Sequence, residues 1–458
     1  MAIERLTAED RLMLWPDDVW PQDIGALVIL DGRRLLDPAG RFRIDPVMDA
    51  IASRLHLVPR FRQLLRVPPR IQGLPLWVDA PDFELAHHVG VLPLPAPGDE
   101  AQLLLITELL RGRRLDRSRP LWEMWFLTGM PEQRVGLFVR MHHCIGDGIA
   151  GVATLANLLD VSPDVTPAPP QPWTPAPPPA AAELIGDNLG RRLRALRMGL
   201  VPVAHPAHSL RGLVQAWPAM RELVPEGAAH TSLDHRTGRD RALALVRSRI
   251  DVLKDVAHAY DAKVNDVLLA AIAGGLRRLL AGRGEAVEQL PVYVPLSLRR
   301  GQYAGARGND IAQMVVPIPM GAMDPVERLR RIAKETAVRK ARSRPSLGNL
   351  PTGRWFGPIL MKIITSHPVN VTTADIPGPE FPLYLAGAQL LDVFPVLPLI
   401  GTVSLGVGAI SYAGQFNIGA VADKDAYMDI EVFAAGVRDE LDRLAVAMVS
   451  GTTSATRR

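Results

Sequence analysis

The sequence predicts an α/β protein in which two halves, each a mixture of helices and strands, are joined by a proline-rich strap. Segments with helical periodicity and segments with period-two alternation occur on both sides of residue 162. Between the halves, residues 162–179 contain nine prolines in 18 positions, which excludes regular helix and sheet and favours an extended polyproline II conformation. The length of 458 residues agrees with this division, because it indicates two to three domains.

The elements of the first half follow from its hydrophobic pattern. Apolar residues at helical spacing predict helices at 45–55, 101–113 and 148–159, and alternation predicts a strand at 134–141. This strand matters most, because it leads directly into the segment with the clearest chemical signal.

The second half repeats the mixture. Its pattern predicts, in order, helices at 183–201 and 208–223, a strand at 242–249, helices at 252–260 and 266–280, a strand at 291–296, a helix at 325–342, strands near Val371, at 402–410 and at 416–421, and a helix at 429–448. The corresponding boundaries are 1–161 for the N-terminal subdomain, 162–182 for the linker, 183–227 for an arginine-rich helical connector, 228–450 for the C-terminal subdomain and 451–458 for a disordered tail.

The composition describes a globular chain and excludes several other classes. Hydrophobic residues at 48% and charged residues at 22% are ordinary values, unlike those of a disordered chain. The net charge is only +4, and the arginines are interleaved with acids. A phosphate-binding surface needs clustered cations and stacking aromatics, so we expect no nucleic-acid partner.

We expect a cytoplasmic protein without a membrane span. The single cysteine, Cys144, excludes an internal disulfide, and the charged N-terminus lacks the apolar region of a signal peptide. Residues 393–411 carry no charge over 19 positions, close to the ~20 that a span requires. However, two prolines interrupt their first half and the rest alternates with period two, which predicts a buried strand.

The segment 142–148, His-His-Cys-Ile-Gly-Asp-Gly, is the candidate site. Side chains alternate along a strand, so the two histidines should point in opposite directions, and we expect no metal site that uses both. His143 then projects from the strand end, and its imidazole suits removal of a proton from a hydroxyl at neutral pH. The alternative is a buried core histidine whose hydrogen bonds are satisfied. The following Gly-Asp-Gly turn favours function, although Asp147 could simply cap the next helix.

Two other features of the sequence, a second histidine pair and the cysteine, are interpreted as structural. The pair His87 and His88 has no acid-containing turn after it, so we predict packing roles for both. Cys144 is predicted to fill space, because no separate base for a cysteine nucleophile is evident.

The pattern HHxxxDG resembles the motif of the CoA-dependent acyltransferase superfamily. Further blocks resemble, in order, the bacterial wax ester synthase/acyl-CoA:diacylglycerol acyltransferase family over nearly the whole chain. They include AEDRLMLW from Ala8, PLWE from Pro120, VNDVLLA from Val264, VPLSLR ending at Arg299 and IPGP from Ile376. One departure is the Ala-Asp pair at 374–375, where the family usually has Ser or Thr followed by Asn.

This resemblance implies two chloramphenicol-acetyltransferase-like subdomains with mixed sheets and an active-site tunnel between them. His143 would act as general base in direct transfer of a long-chain acyl group from acyl-CoA to diacylglycerol or a fatty alcohol. Acyl-CoA would be a co-substrate, with no cofactor and no metal. Asp147 would be the second residue of the catalytic motif, and the supporting positions are His142, Gly148, Asn265, Asp266 and Arg299.

Several of these positions have alternative roles. Asn265 is a candidate oxyanion donor, but it or Asp266 could cap the following helix. Pro120, Leu121 and Trp122 are candidate substrate contacts, with core packing as the alternative for the tryptophan.

In related acyltransferases the motif aspartate pairs with an arginine. The resemblance therefore implies an Asp147–Arg299 ion pair that joins the two halves, because a carboxylate fits the planar guanidinium. Loss of Asp147 should then reduce stability and activity together.

Two other functions remain open. One is a condensation-type acyltransferase of specialised metabolism with a carrier-bound or non-lipid acceptor; the other is a catalytically silent scaffold, against which the intact motif argues. Lipid substrates would also imply a peripheral membrane or a lipid-droplet surface as partner. Residues 189–214, with arginines among leucines, are the candidate contact, and a helix packed on the second domain is the alternative.

Overall fold

The computed structural model describes residues 3–14, 16–146, 148–199, 230–297, 311–341 and 369–455. Within these ranges the chain forms nine α-helices and fourteen strands. The helices are α1 (Ala8–Leu14), α2 (Ile44–Arg54), α3 (Glu100–Gly112), α4 (Gly148–Ala156), α5 (Ala181–Gly199), α6 (Ile250–Ala259), α7 (Val264–Gly282), α8 (Pro325–Lys340) and α9 (Ile430–Ala455). The strands are β1 (Asp23–Asp31), β2 (Gln63–Arg66), β3 (Leu76–Asp79), β4 (Val89–Pro93), β5 (Trp122–Thr128), β6 (Arg134–His142), β7 (Arg241–Arg249), β8 (Gln289–Ser297), β9 (Ile311–Pro319), β10 (Val371–Pro377), β11 (Tyr384–Leu385), β12 (Ala388–Val396), β13 (Leu405–Tyr412) and β14 (Gln415–Asp423).

The strands form two six-stranded mixed sheets, as predicted. The first has the order β11-β12-β1-β6-β5-β4, in which only β4 and β5 run parallel. The second has the order β7-β14-β13-β10-β8-β9, with parallel pairs at its centre and antiparallel pairs at its edges. Strands β2 and β3 form a separate pair.

The sheets do not follow the predicted domain boundary, which assigned residues 228–450 to the second half. Strands β11 and β12 belong to that range in sequence, yet β12 pairs with β1 in the first sheet, with Leu27 opposite Phe394. The second half therefore contributes the edge of the first sheet. This is possible because the backbone groups at the edge of a sheet can pair with any strand that reaches them, whatever its distance in sequence.

A shared apolar core lies between the two sheets. It contains Leu27 and Phe138 of the first sheet, Leu243 and Leu245 of the second, and the buried leucines of α3. The second sheet is covered on its other face by α7 and α9, which approach closely at glycines. A Cβ on Gly275 would lie 2.7 Å from atoms of α9, so only glycine fits this crossing.

The proline-rich segment lies against the first half. Trp173 packs edge-on against Phe83. The guanidinium carbon of Arg62 lies 4.6 Å from the centre of the Trp173 ring. The backbone N–H of Ala176 donates to Asp79 at 3.0 Å. Residues 165–180 have no regular secondary structure, as the prolines predict.

The remaining predictions have mixed outcomes. The uncharged stretch at 393–411 contributes to two strands, as expected. Helix α9 continues to Ala455, so the predicted disordered tail is wrong for residues 451–455, where the helical ladder persists beyond the core contacts. The predicted helix at 208–223 lies outside the described residues. Among the helices that the structure describes, none is long and apolar enough to span a membrane.

Candidate active site

Strand β6 positions the two histidines. Its buried residues alternate as predicted: Val139 and Met141 face the core between the first sheet and its helices, whereas Phe138 faces the core between the sheets. His142 is the last residue of the strand and His143 the first of the turn that follows. The strand therefore ends at His142, and the prediction that the two imidazoles point apart stays a prediction.

His143 is fixed at the backbone. Its N–H donates to the carbonyl of Gln22 at 2.8 Å, and its side chain is half-buried. The turn closes with the N–H of Ile145 donating to the carbonyl of His142 at 2.9 Å, and α4 begins at Gly148. The imidazole thus stands at the junction between β6 and α4, with part of its surface open to a reactant.

His142 is buried and has contacts on both ring nitrogens. The N–H of Cys144 donates to Nδ1 at 3.1 Å, and Asp17 Oδ1 lies 3.2 Å from Nε2. Burial opposes a charge on this ring, and the N–H that it accepts at Nδ1 requires that nitrogen to be unprotonated. The hydrogen bonds decide the tautomer: a ring that accepts at Nδ1 carries its proton on Nε2, towards Asp17.

The interpretation of Cys144 as a residue that fills space is confirmed in part, because it packs in an apolar cluster with Leu115 and Leu121. The thiol is buried, but its Sγ lies 3.0 Å from His142 Nδ1, so it belongs to the same polar cluster. The sequence showed the residue beside the histidines and gave no indication that one of the rings would turn back towards it.

Asp17 is a site residue that the sequence did not reveal. Its Oδ1 accepts the N–H of Gln22 at 2.8 Å and faces His142, while its Oδ2 accepts from Arg117 at 2.5 Å. Burial works against ionisation, but these donors hold the pKa of the carboxyl well below its usual range. Asp17 is therefore a charged, fully engaged carboxylate behind the histidine pair.

A second buried charge cluster supports β6 next to the histidines. Arg140 is 2% exposed and contacts the carboxylates of Asp23 at 3.4 Å and Glu123 at 3.0 Å. Burial raises the pKa of Asp23, and Arg140 opposes that rise. Nearby Arg111 donates to the carbonyl of Leu397 at 2.6 Å, and burial together with Arg241 lowers its pKa to about 9.

A small open cleft of about 170 Å³ reaches these clusters from the surface. Its lining is Asp17, Asp18, Pro21, Asp23, Arg114, Leu115, Arg117, Leu121 and His142. The cleft therefore reaches His142 at the end of β6.

The predicted substrate contacts are mainly core residues. Trp122 has no exposed surface: its indole N–H donates to the carbonyl of Phe61, and its ring stacks on Phe61 at 4.3 Å and on His88 at 4.6 Å. Packing, the alternative considered for this residue, is what the structure supports. Pro120 and Leu121 are also buried, and the carbonyl of Leu121 accepts the N–H of His142 at 2.9 Å. Their contribution is to hold the strand that carries the motif.

Of the pair His87 and His88, only His88 has the packing role that was predicted for both. His88 is buried, and its Nδ1 lies 2.8 Å from the carbonyl of Trp122, while burial lowers its pKa. His87 is largely exposed and lies 3.5 Å from Glu84. Neither contacts the motif.

Of the supporting residues in the second half, Asp266 is explained as a helix cap. Its carboxylate accepts the N–H of Lys263 at 2.9 Å and the hydroxyl of Thr336 at 2.7 Å, which closes the start of α7. Asn265 is the preceding residue and is half-buried, so its role as an oxyanion donor stays a prediction. Asp147 and Arg299 lie outside the described residues, and their ion pair also stays a prediction.

Two other groups of acids have local explanations. Asp375, at the departure from the family pattern, is half-buried on β10, and burial raises its pKa to about 6 while Lys340 opposes the rise. Asp423, with His235 and Asp425, forms a cluster whose ligand atoms lie within 4.8 Å. However, the buried Asp423 carboxylate already accepts from the backbone N–H of Gly238 at 2.6 Å and faces Arg241, so it serves to fix this turn.

Comparison with known proteins agrees with the motif. The model of the wax ester synthase/diacylglycerol acyltransferase catalytic domain matches residues 6–268, and that of the WS/DGAT C-terminal domain matches residues 307–445. A protein of Mycobacterium tuberculosis H37Rv, named as a probable diacylglycerol O-acyltransferase, is 31% identical over 456 residues, or 95% of this chain and 93% of that protein.

Solved structures show the same fold. The wax ester synthase/diacylglycerol acyltransferase of Marinobacter aquaeolei VT8 has a TM-score of 0.69 at 21% identity, over 97% of this chain and 99% of its own. The first condensation domain of the calcium-dependent antibiotic synthetase has a TM-score of 0.61 at 14% identity, over 97% of each chain. These likenesses confirm the predicted fold class, and the sequence matches decide the family: the chain is an enzyme of the wax ester synthase/diacylglycerol acyltransferase family.

Proposed function

We propose that the protein transfers a long-chain acyl group from acyl-CoA to diacylglycerol or a fatty alcohol, with His143 as the general base. The observation that carries this proposal is the position of His143 at the end of β6, half-buried and fixed through its backbone, within an intact HHxxxDG motif. A base held in this way can remain aligned with a bound hydroxyl, which is the condition for proton transfer.

The proton transfers and bond changes of the reaction can be written with His143 and the two substrates alone. The imidazole of His143 takes the hydroxyl proton as the acceptor oxygen attacks the thioester carbonyl. The resulting oxyanion collapses, the carbon–sulfur bond breaks, and coenzyme A leaves as a thiol with the proton that His143 returns. Both substrates would meet in a tunnel between the subdomains, and Asp147 would hold the motif in shape.

An assay with two acceptors tests the substrate class. Purified protein given palmitoyl-CoA with dioleoylglycerol or hexadecanol should release one free thiol for each triacylglycerol or wax ester formed. Thin-layer chromatography and thiol titration measure the two products. Absence of turnover with both acceptors would favour the condensation-type alternative, in which the acceptor is carrier-bound or not a lipid.

We also propose that the enzyme works at a lipid surface through α5. One face of this helix packs on the first half: Leu184 is fully buried, and Asp187 forms an ion pair with Arg5 at 2.5 Å. Asn188 donates to the carbonyl of Ile71 at 2.9 Å. The alternative of packing on the second domain is therefore not favoured.

The opposite face of α5 is apolar and exposed. Ile185, Leu189, Leu193 and Leu196 recur at helical spacing and are 38%, 58%, 51% and 66% exposed. Between residues 188 and 199 the helix has four arginines and no acid. A leucine stripe beside arginines is the pattern of a helix that lies in an anionic lipid interface. The rest of the predicted contact, residues 200–214, lies outside the described residues.

Flotation on density gradients tests this second proposal. The protein should rise with phosphatidylcholine vesicles that contain phosphatidylglycerol and remain below with phosphatidylcholine alone. Replacing Leu189 and Leu193 with serine should weaken binding by about 3 kcal/mol, roughly 10²-fold, because two leucines no longer leave water. The matched control replaces Leu105 and Leu109 of α3, which are 46% and 57% exposed. Equal flotation of the two double variants, or no flotation of the wild type, would remove α5 as the contact.

A further inference from the structure

The loop from Pro16 to Gln22 contacts the histidine motif at two points. The carboxylate of Asp17 faces His142 Nε2 at 3.2 Å, and the carbonyl of Gln22 accepts the N–H of His143 at 2.8 Å. The loop is closed on itself, because the N–H of Gln22 donates to Asp17 at 2.8 Å. A shift of Asp17 would therefore reach both histidines.

We propose that Asp17 is a positioning residue for acyl transfer, which acts through His142 to fix the turn that presents His143 to the substrates. This inference rests on the proposed role of His143 as the base. Asp17 itself lies beside His142 Nε2, so its effect on His143 would be indirect.

The hydrogen bonds explain how the effect is transmitted. The negative charge of Asp17, 3.2 Å away, favours a proton on His142 Nε2, and Nδ1 accepts the N–H of Cys144 at 3.1 Å. That bond fixes the residue directly after His143. With Gln22 fixing the backbone of His143 itself, the turn is held on both sides of the base.

The position of Asp17 is itself determined by charge. Arg117 contacts its second oxygen at 2.5 Å, and the carboxylate is 7% exposed. A buried carboxylate with donors on both oxygens has no freedom to rotate away from His142. Asp18 provides a natural contrast, because its side chain is 76% exposed and contacts arginines only at the surface.

Substitution of Asp17 separates positioning from general stability. Asp17→Ala should lower kcat by about 10²-fold, the scale of a misplaced catalytic group, and leave KM for acyl-CoA unchanged. Asp17→Asn retains an acceptor for His142 and should recover roughly 10-fold of that loss. Asp251→Ala, the control, removes an exposed aspartate that pairs with Arg249 in the second half and should keep the wild-type kcat. Calorimetric titration with coenzyme A gives the number of intact binding sites, by which each kcat is divided.

The outcomes decide between the possible roles. If kcat per coenzyme A site is low in Asp17→Ala and partly restored in Asp17→Asn, the positioning role is supported. If activity falls only in proportion to lost coenzyme A sites, Asp17 is merely structural. Should the alanine variant not fold, a wild-type kcat per site in Asp17→Asn overturns the inference. A His143→Ala protein that remains active in the same assay would instead overturn the proposed function.

Discussion

Replacing His143 with alanine is expected to lower kcat by about 10²–10⁴-fold, the usual contribution of a general base, while the protein remains folded. The fold should survive because the hydrogen bond from the backbone N–H of His143 to the carbonyl of Gln22 is kept in the variant. The side chain itself is only half-buried, so its truncation leaves little unfilled core.

The measurement is steady-state turnover with palmitoyl-CoA and the better acceptor, together with circular dichroism and thermal unfolding. His87→Ala is the matched control, because it removes an exposed histidine far from the motif and should have no effect on kcat. Wild-type turnover by a folded His143→Ala protein would be incompatible with the mechanism.

Replacing Arg140 with methionine is expected to destabilise the protein by about 3–5 kcal/mol at neutral pH, because it leaves a buried carboxylate without its partner. Methionine fills most of the space of the arginine stem, so the effect arises from charge. Asp23 is the group left behind, since it is 5% exposed, whereas Glu123 can turn towards water and still accept from Trp125.

The loss should depend on pH in a defined direction. Burial raises the pKa of Asp23 in the folded state, and removal of Arg140 raises it further. A raised folded pKa gives stability that is present at low pH and lost as pH rises through the folded value. The deficit of Arg140→Met relative to the wild type should therefore be smallest near pH ~5 and largest near pH ~8.

Urea unfolding at both pH values measures this deficit. Arg249→Met is the matched control: this arginine also lies on a strand and pairs with an aspartate, Asp251, but its side chain is 71% exposed. Exposed pairs of this kind contribute little to stability because water screens them, so the control should change little at either pH. A pH-independent deficit in Arg140→Met would mean that packing or the lost hydrogen bonds to the carbonyls of Arg111 and Arg113, and not the buried carboxylate, cause the loss.

The sequence by itself determined those features that depend on neighbouring residues. Period-two alternation located β6 and predicted that His142 and His143 would face apart, because the pleat of a strand dictates it. Proline density identified the strap for an equally local reason, since the ring fixes φ and removes a donor. The HHxxxDG motif with its accompanying blocks was sufficient to identify the family.

Only the tertiary structure decided which distant groups meet at those features. Asp17 lies in an irregular loop without periodicity, so nothing in the sequence associates it with His142, and Cys144 became part of the cluster only through the orientation of that ring. The addition of β12 to the first sheet was equally hidden, because a strand's pattern shows which face is buried and not which edge it pairs with. Local patterns specify an element and its buried side. Partners across the chain are selected by shape and charge in the folded core, where burial makes each unpaired polar group costly.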